Sequence, residues 1–252
     1  MRLKEFALLA SDTARTKAYL QIMIREEKMP GICIVYSENV LQMQKEAEMY
    51  RQGSGEKKYF DIDIPILYSL QRADIPYVLV ENKDINSQQM KTALKGLDQK
   101  YLIYSGYGGY ILKPDLFRLK KNFIHIHAGL LPQYRGSTTV YYSFLQEGTF
   151  GATAIFLSEG IDEGEIITWD TFNVPKEAVN IDYIYEPYIR SRVLMKVINK
   201  YLEDNRLEGK NQEGEGAETY FIIHPVLKHL AMLGIEKIQE GDKDREGDTG
   251  SG

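Results

Sequence analysis

Two histidines, His125 and His127, stand two residues apart in a short apolar run that is typical of a buried strand. Residues two apart on a strand point to the same face. Polar rings on an apolar face must be hydrogen-bonded or must line a cavity. Imidazoles exchange protons near neutral pH, so such a cavity would suit proton transfer. The alternative is that both histidines are core residues whose ring nitrogens are hydrogen-bonded to neighbouring groups. A glycine turn, Pro132 and Arg135 follow them, however, and this favours a catalytic or binding loop.

Two other stretches combine glycines with side chains that could bind or react. Residues 105–114 hold three glycines among tyrosines, directly after an apolar run. Residues 158–165 alternate glycines with acidic residues, Asp162 among them. Taken alone, the first is either a tight strand-to-helix turn or a binding loop, and the second is most simply a solvated turn.

The elements that must position these side chains alternate between strands and helices. Apolar runs predict strands at residues 6–10, 32–36, 76–80, 100–104, 124–127 and 152–157. Helical patterns lie between them, and a long helix is predicted over residues 181–202. A strand over 219–223 and a helix over 224–233 follow. This alternation predicts an α/β fold with a doubly wound, mostly parallel sheet and a short C-terminal strand–helix appendage.

Composition narrows the classes of function. The 252 residues are 43% apolar and carry a formal net charge of −5, which argues against nucleic-acid binding because phosphate contacts need a basic face. The single Cys33 excludes an intramolecular disulfide and fits a reducing compartment. The N-terminal apolar stretch is too short for a signal peptide, and no run has the length of a membrane helix. A cytoplasmic protein without a membrane or nucleic-acid partner is expected.

The stretch from His125 to Gly136 resembles the signature of the folate-dependent formyltransferases. That pattern is Asn-x-His-x-Ser/Gly-Leu-Leu-Pro-x-x-Arg-Gly, and this sequence has HIHAGLLPQYRG. The match departs only at the first position, where His125 replaces the asparagine. The acidic loop from Gly160 to Ile167 resembles the second half of the same active site, Gly-Leu/Ile-Asp-x-Gly-Asp/Glu-Ile-Ile, at the separation that the family shows. Two linked motifs are more specific than either alone.

The resemblance implies a formyltransferase-like, Rossmann-type fold and 10-formyltetrahydrofolate as the formyl donor. It implies that His127 polarises the formyl oxygen and moves protons, and that Asp162 orients it. His125 would take the place of the asparagine that donates a hydrogen bond to the developing oxyanion, with a charge that varies with pH. The residues implied to bind the folate are Tyr107, Gly108, Tyr110, Ile111, Leu112, Gly160, Ile161 and Gly164.

The acceptor side is less defined by the sequence. Ser11 and Thr13, at a predicted helix N-terminus, could hold a phosphate, and Arg135 and Gly136 are expected to bind substrate. No third ligand stands near the two histidines at metal-binding spacing, so no metal site is predicted.

The predicted domain bounds are 1–205 for the catalytic domain, 206–235 for the appendage and 236–252 for a disordered tail. Little sequence follows Gly214, so we expect the C-terminal barrel with which methionyl-tRNA formyltransferases grip tRNA to be absent. The acceptor is then expected to be a small amine, most simply a nucleotide-linked amino sugar. The appendage would serve the acceptor site or a homodimer contact.

Two other functions fit the same residues. A hydrolase could release formate from the same folate with the same three polar residues and without an acceptor pocket. A folate- or nucleotide-binding regulatory protein could share the scaffold, with His125 marking lost catalysis. Transferase and hydrolase differ in whether turnover requires an added amine, and an enzyme and a binding protein differ in turnover itself.

Overall fold

A seven-stranded sheet forms the centre of the computed structural model, which describes residues 1–51, 53, 55, 57–213 and 217–248. Its strand order is β3-β2-β1-β4-β5-β7-β8. The first five strands along the chain are parallel to one another. Strand β7 pairs antiparallel with β5 on one side and with β8 on the other. The strands are β1 (Arg2–Ala10), β2 (Met29–Ser37), β3 (Tyr77–Glu81), β4 (Tyr101–Ser105), β5 (Asn122–His127), β6 (Tyr134–Gly136), β7 (Phe150–Phe156), β8 (Ile166–Phe172) and β9 (Glu218–Tyr220).

Helices cover both faces of this sheet. They are α1 (Ala14–Arg25), α2 (Val40–Met49), α3 (Ile66–Arg72), α4 (Gln88–Lys95), α5 (Pro114–Phe117), α6 (Thr139–Glu147), α7 (Glu186–Asp204) and α8 (Pro225–Asp248), with a π-helical turn at Ile181–Tyr185 before α7. One core contains Tyr19 of α1 and Val193 of α7, and the other contains Met90 of α4 and Leu116 of α5. The predicted α/β fold with a doubly wound, mostly parallel sheet is therefore confirmed.

Element boundaries differ from the predicted ones where tertiary contacts override local signals. The strand predicted over residues 32–36 begins earlier, at Met29, because β2 pairs with β1 along that stretch, and Pro30 lies within it. Helix α8 continues to Asp248, beyond the expected start of a disordered tail at residue 236. Gln239 is buried there, and its Nε2 donates to the carbonyl oxygens of Pro175 and Glu177. Residues 214–216 of the appendage and 249–252 lie outside the described part.

A second, two-stranded sheet joins the appendage to the catalytic loop. Strand β6 pairs in parallel with β9, so that Gly136 lies opposite Tyr220. The φ of Gly136 is +100°, and a Cβ there would lie 2.1 Å from the Tyr220 carbonyl oxygen. Glycine is required at this position because any side chain would push the two strands apart. The described helices include none long and apolar enough to span a bilayer.

Candidate active site

The candidate site lies where neighbouring parallel strands end. Strands β1, β4 and β5 are adjacent, and their carboxyl ends open on a cavity of about 660 Å³. His125 and His127 line this cavity together with Asp162. Loops after such strand ends are the usual place for binding sites in α/β sheets, because the loops can vary while the sheet stays rigid. The structure thus brings the three predicted catalytic residues together.

Hydrogen bonds fix the ring orientation and the tautomer of His127. Its Nε2 lies 2.6 Å from the Tyr134 carbonyl oxygen and 3.2 Å from the Thr139 hydroxyl oxygen. The Thr139 hydroxyl donates its own hydrogen to the Ala128 carbonyl, so both neighbours of Nε2 act as acceptors. Nε2 therefore carries a hydrogen. The other ring nitrogen, Nδ1, is the atom left for chemistry, and it lies 3.3 Å from Oδ2 of Asp162.

Asp162 is held in place by backbone and side-chain contacts. Its φ is +54°, a left-handed conformation that aspartate tolerates better than most residues. The Gly136 amide donates to Oδ2 over 2.9 Å. Gln212 donates from Nε2 to the carbonyl oxygens of Asp162 and Gly164, at 2.7 and 2.8 Å. The carboxylate is thereby fixed beside His127, and a residue of the appendage fastens its loop.

Burial governs the protonation of the two histidines. It lowers the pKa of His125 well below the usual range, and the nearby Arg15 and Arg190 guanidinium groups lower it further. His125 is therefore neutral at neutral pH, which removes the expected change of charge near pH 6–7. Burial also lowers the pKa of His127, and the Asp162 carboxylate opposes that effect.

His125 has an unused buried polar atom. Its Nδ1 is buried and has no hydrogen-bond partner among the described residues. An unpaired buried polar atom is costly unless a ligand satisfies it. Because the ring lines both the large cavity and a smaller one of about 130 Å³, the atom is placed to serve a bound molecule.

The residues predicted to bind folate lie around these two cavities, with one exception. The smaller cavity is bounded by the loop after β4 and the loop after β7. A Cβ at the exception, Gly164, would lie 1.6 Å from the Phe156 carbonyl oxygen, so its role is close backbone packing. The others line one or both cavities: Tyr107, Gly108, Tyr110, Ile111, Leu112, Gly160 and Ile161.

Three of the four predicted acceptor residues do not line the cavities. Ser11 is fully buried, and its hydroxyl donates to the Ser105 carbonyl. Thr13 caps α1 by accepting from the Thr16 amide. The Arg135 guanidinium donates to Gln212 and faces Glu163, away from the cavity. Gly136 alone of this group lines the large cavity.

Two arginines that the sequence analysis missed line the large cavity. Arg15, in the first turn of α1, donates to the Gly106 carbonyl, and burial and the nearby Arg190 lower its pKa. Arg190 of α7 pairs through Nη2 with Glu186, but its buried Nε and Nη1 have no partner among the described residues. In sequence this pair has the i,i+4 spacing of an ordinary surface ion pair, so only the fold reveals it. Two guanidinium groups facing one cavity favour an anionic ligand.

Comparison with known proteins shows similarity to a formyl transferase family and to individual proteins that act on formyl groups. Residues 10–183 match the formyl transferase family. The chain is 26% identical to methionyl-tRNA formyltransferase of Finegoldia magna over 160 residues, which cover 63% of this chain and 51% of that protein. It is 27% identical to formyltetrahydrofolate deformylase of Escherichia coli strain K12 over 140 residues, covering 51% and 50%. The chain thus spans about half the length of these curated relatives.

Solved structures share the fold at low sequence identity. Phosphoribosylglycinamide formyltransferase from Anaplasma phagocytophilum superposes with a TM-score of 0.56 at 17% identity, covering 88% of this chain and 98% of that one. The N-formyltransferase from Helicobacter canadensis, solved with folinic acid and dTDP-3-aminofucose, gives 0.54 at 15%, covering 87% and 71%. The match to the family covers more than half of the sequence and contains both motifs of the site. The chain belongs to the formyl transferase family.

Proposed function

We propose that this protein transfers a formyl group from 10-formyltetrahydrofolate to the amino group of a small, anionic acceptor. The observation that carries the proposal is the arrangement of His125, His127 and Asp162 around one cavity. Acyl transfer through a tetrahedral intermediate needs a hydrogen-bond donor for the oxyanion and a group that moves protons between nitrogens. Both are present here, with Nδ1 of His127 lying 3.3 Å from the Asp162 carboxylate.

The smaller cavity suits the pterin ring of the formyl donor. Its walls include Leu112, Phe117 and Leu157, and His125 is among the residues that line it. Ile111 and Ile161, on facing loops, are 60% and 54% exposed. A flat aromatic ring between them would remove this apolar surface from water, with about 25 cal/mol gained per Å². The formyl group would then project toward the histidines.

The larger cavity suits an acceptor with negative charge. Arg15 and Arg190 line it, and two nitrogens of the Arg190 guanidinium lack partners among the described residues. A diphosphate could accept from both arginines, since guanidinium groups pair well with phosphate oxygens. A nucleotide-linked amino sugar supplies a diphosphate and an amine in one molecule. The Helicobacter canadensis relative was solved with a ligand of this class, dTDP-3-aminofucose.

In the proposed reaction, the acceptor amine attacks the formyl carbon and the bond from that carbon to N10 of the folate breaks. One proton leaves the amine and one is delivered to N10. His127 accepts the proton of the amine at Nδ1 and passes a proton on to N10. Asp162 stabilises the protonated ring in between, because a carboxylate favours the imidazolium. His125, neutral and with a free ring nitrogen, donates to the oxyanion. Nε2 of His127 stays bonded to the Tyr134 carbonyl throughout.

Hydrolysis of the formyl donor is the second candidate, and the relative that favours it is the Escherichia coli formyltetrahydrofolate deformylase. The two reactions separate in one assay. The full chain is incubated with 10-formyltetrahydrofolate with and without a panel of nucleotide-linked amino sugars, and tetrahydrofolate, formate and formylated acceptor are quantified. We expect tetrahydrofolate to form only with an amine present and in equal amount to the formylated product. Formate release that is independent of the amine would show that the protein is a hydrolase and not a transferase.

A further inference from the structure

His125, His127 and Asp162 also form a set of metal ligands. One ligand atom from each residue lies within 4.8 Å of the others. The sequence could not indicate this set, because Asp162 comes from a distant loop that only the fold brings next to β5. The asparagine that His125 replaces in the family pattern has no imidazole, so the second nitrogen ligand arises where this chain departs from that pattern.

The contact between His127 and Asp162 has the geometry of two ligands on one ion. Since Nε2 of His127 carries a hydrogen, the neutral ring directs the lone pair of Nδ1 toward Oδ2 of Asp162, 3.3 Å away. Two lone pairs facing each other need a proton or a cation between them. Bonds of about 2.0–2.1 Å in tetrahedral geometry place neighbouring ligand atoms roughly 3.3–3.4 Å apart. The separation between His127 and Asp162 therefore accommodates a metal ion, whereas the ligand atoms of the full set, which lie up to 4.8 Å apart, must move closer together around it.

Outer contacts of the kind that support metal ligands are already in place. Metal-binding histidines usually donate their other N–H to a carbonyl or carboxylate, which fixes the ring and its tautomer. His127 does so through Nε2 to the Tyr134 carbonyl. The Gly136 amide donates to the Asp162 carboxylate. The third ligand is a ring nitrogen of His125, which offers a lone pair when the hydrogen is on the other ring nitrogen, the tautomer opposite to the one that would donate to the oxyanion.

The charges around the cavity permit a cation. Arg15 and Arg190 oppose one, but Arg190 is paired with Glu186. Asp182 also lines the cavity but is paired with Lys228, so the Asp162 carboxylate is the charge that would favour a cation beside the histidines. Two imidazoles and one carboxylate, with open positions toward a cavity, are a ligand set of Zn²⁺ and Fe²⁺ sites, whereas Mg²⁺ and Ca²⁺ prefer oxygen ligands.

We propose that His125, His127 and Asp162 bind one divalent transition-metal ion of the Zn²⁺ or Fe²⁺ class. The ion would lie between Nδ1 of His127 and Oδ2 of Asp162. One consequence rests on the proposed function: the ion would stop formyl transfer by removing Nδ1 of His127 from proton transfer. Binding itself does not depend on that function and is measured separately.

The test is a titration of the chelator-treated full chain with Zn²⁺ by calorimetry and with Co²⁺ by visible absorption. The variants are His125→Asn, which removes one ligand, and the matched control His229→Asn, at an exposed position of α8. We expect one ion per chain in wild type and control, with the d–d bands of a bound Co²⁺. His125→Asn should bind at least about tenfold to a hundredfold more weakly, because even changes outside the ligand shell cost this much.

Thermal melts show whether His125→Asn is folded, and Asp162→Asn provides a second ligand deletion if it is not. The proposal is overturned if the wild-type chain binds no ion, binds several ions equally, or binds as tightly after His125→Asn or Asp162→Asn as after His229→Asn. Failure of formyl transfer in metal-free protein, with tight binding of one ion, would instead reject the proposed function and leave the metal site standing.

Discussion

The two cavities that meet at Asp162 differ in chemistry. The smaller one is walled mainly by apolar and aromatic side chains, whereas the larger one carries two arginines and three carboxylates. An uncharged flat ring gains from the first, and a diphosphate gains from the second. His125 and Asp162 line both. Tyr104 and Tyr110 line both cavities as well. Under the proposed function, the formyl donor and the acceptor are therefore recognised by different walls of the site, which meet at these shared side chains.

The largest effect should come from a residue that both cavities share. Asp162→Asn removes the charge beside Nδ1 of His127, and we expect kcat to fall by about two to four orders of magnitude, the usual value of positioned acid–base groups. Steady-state kinetics measure it. Glu163→Gln is the matched control because it lies in the same loop and is exposed. Equal effects of the two substitutions would show that only the loop, and not the carboxylate, matters.

A change on the acceptor side should affect only the acceptor. Arg190→Gln removes a buried guanidinium that faces the large cavity, and a charged hydrogen bond is worth about 1.5–3 kcal/mol. We expect the acceptor KM to rise roughly tenfold to a hundredfold with the Kd of the folate unchanged. Arg192→Gln, on the exposed side of the same helix, serves as the control. A weakened folate affinity would break the separation between the cavities.

A change on the formyl-donor side should do the reverse at smaller scale. Ile161→Ala shortens an exposed apolar wall of the smaller cavity. Each buried CH₂ contributes about 0.8 kcal/mol, so we expect the folate Kd to rise about threefold to tenfold. Fluorescence titration measures the folate Kd, and steady-state kinetics measure the KM of the acceptor, which should stay unchanged. An unchanged folate Kd would place the pterin elsewhere.

The last prediction concerns how the stability of the fold depends on pH through His125, which lines both cavities. The pKa of His125 is lowered in the folded chain, mainly by burial, so below its unfolded value of about 6.5 the unfolded chain binds more protons. Folded stability is therefore lost as pH falls below about 6.5, by up to roughly 1.4 kcal/mol per pH unit from this group. His125→Asn should lose less stability over the same interval in denaturant titrations. Parallel curves would show that His125 stays accessible to protons in the folded chain.

The sequence predicted the placement of the two histidines of β5, because the alternation of a strand fixes which side chains share a face. His125 and His127 therefore had to face one cavity, and the linked acidic motif supplied Asp162. The acceptor side could not be predicted in the same way. Which residue between the end of β1 and the first turn of α1 faces the cavity depends on the angle between α1 and the sheet. Ser11 is held inside by Ser105, whereas Arg15 lines the cavity.

Residues whose contacts join distant parts of the chain could not be predicted from the sequence either. Arg190 follows a π-helical turn that changes the face α7 presents, and periodicity alone does not reveal such a turn. Gln212 holds the Asp162 loop from the appendage, a contact between distant parts of the chain. The end of the chain was expected to be disordered from its charged composition, yet α8 continues to Asp248 and its Gln239 is buried.

The most direct test of the separated cavities follows a labelled formyl carbon from 10-formyltetrahydrofolate in the presence of two acceptors. One is a nucleotide-linked amino sugar, and the other is the same amino sugar without the nucleotide diphosphate. The account predicts that the label moves to the amine of the first, and at least about tenfold more slowly to the second, because the arginines lose their anion. Label that appears only as formate, or at equal rates on both sugars, would contradict it.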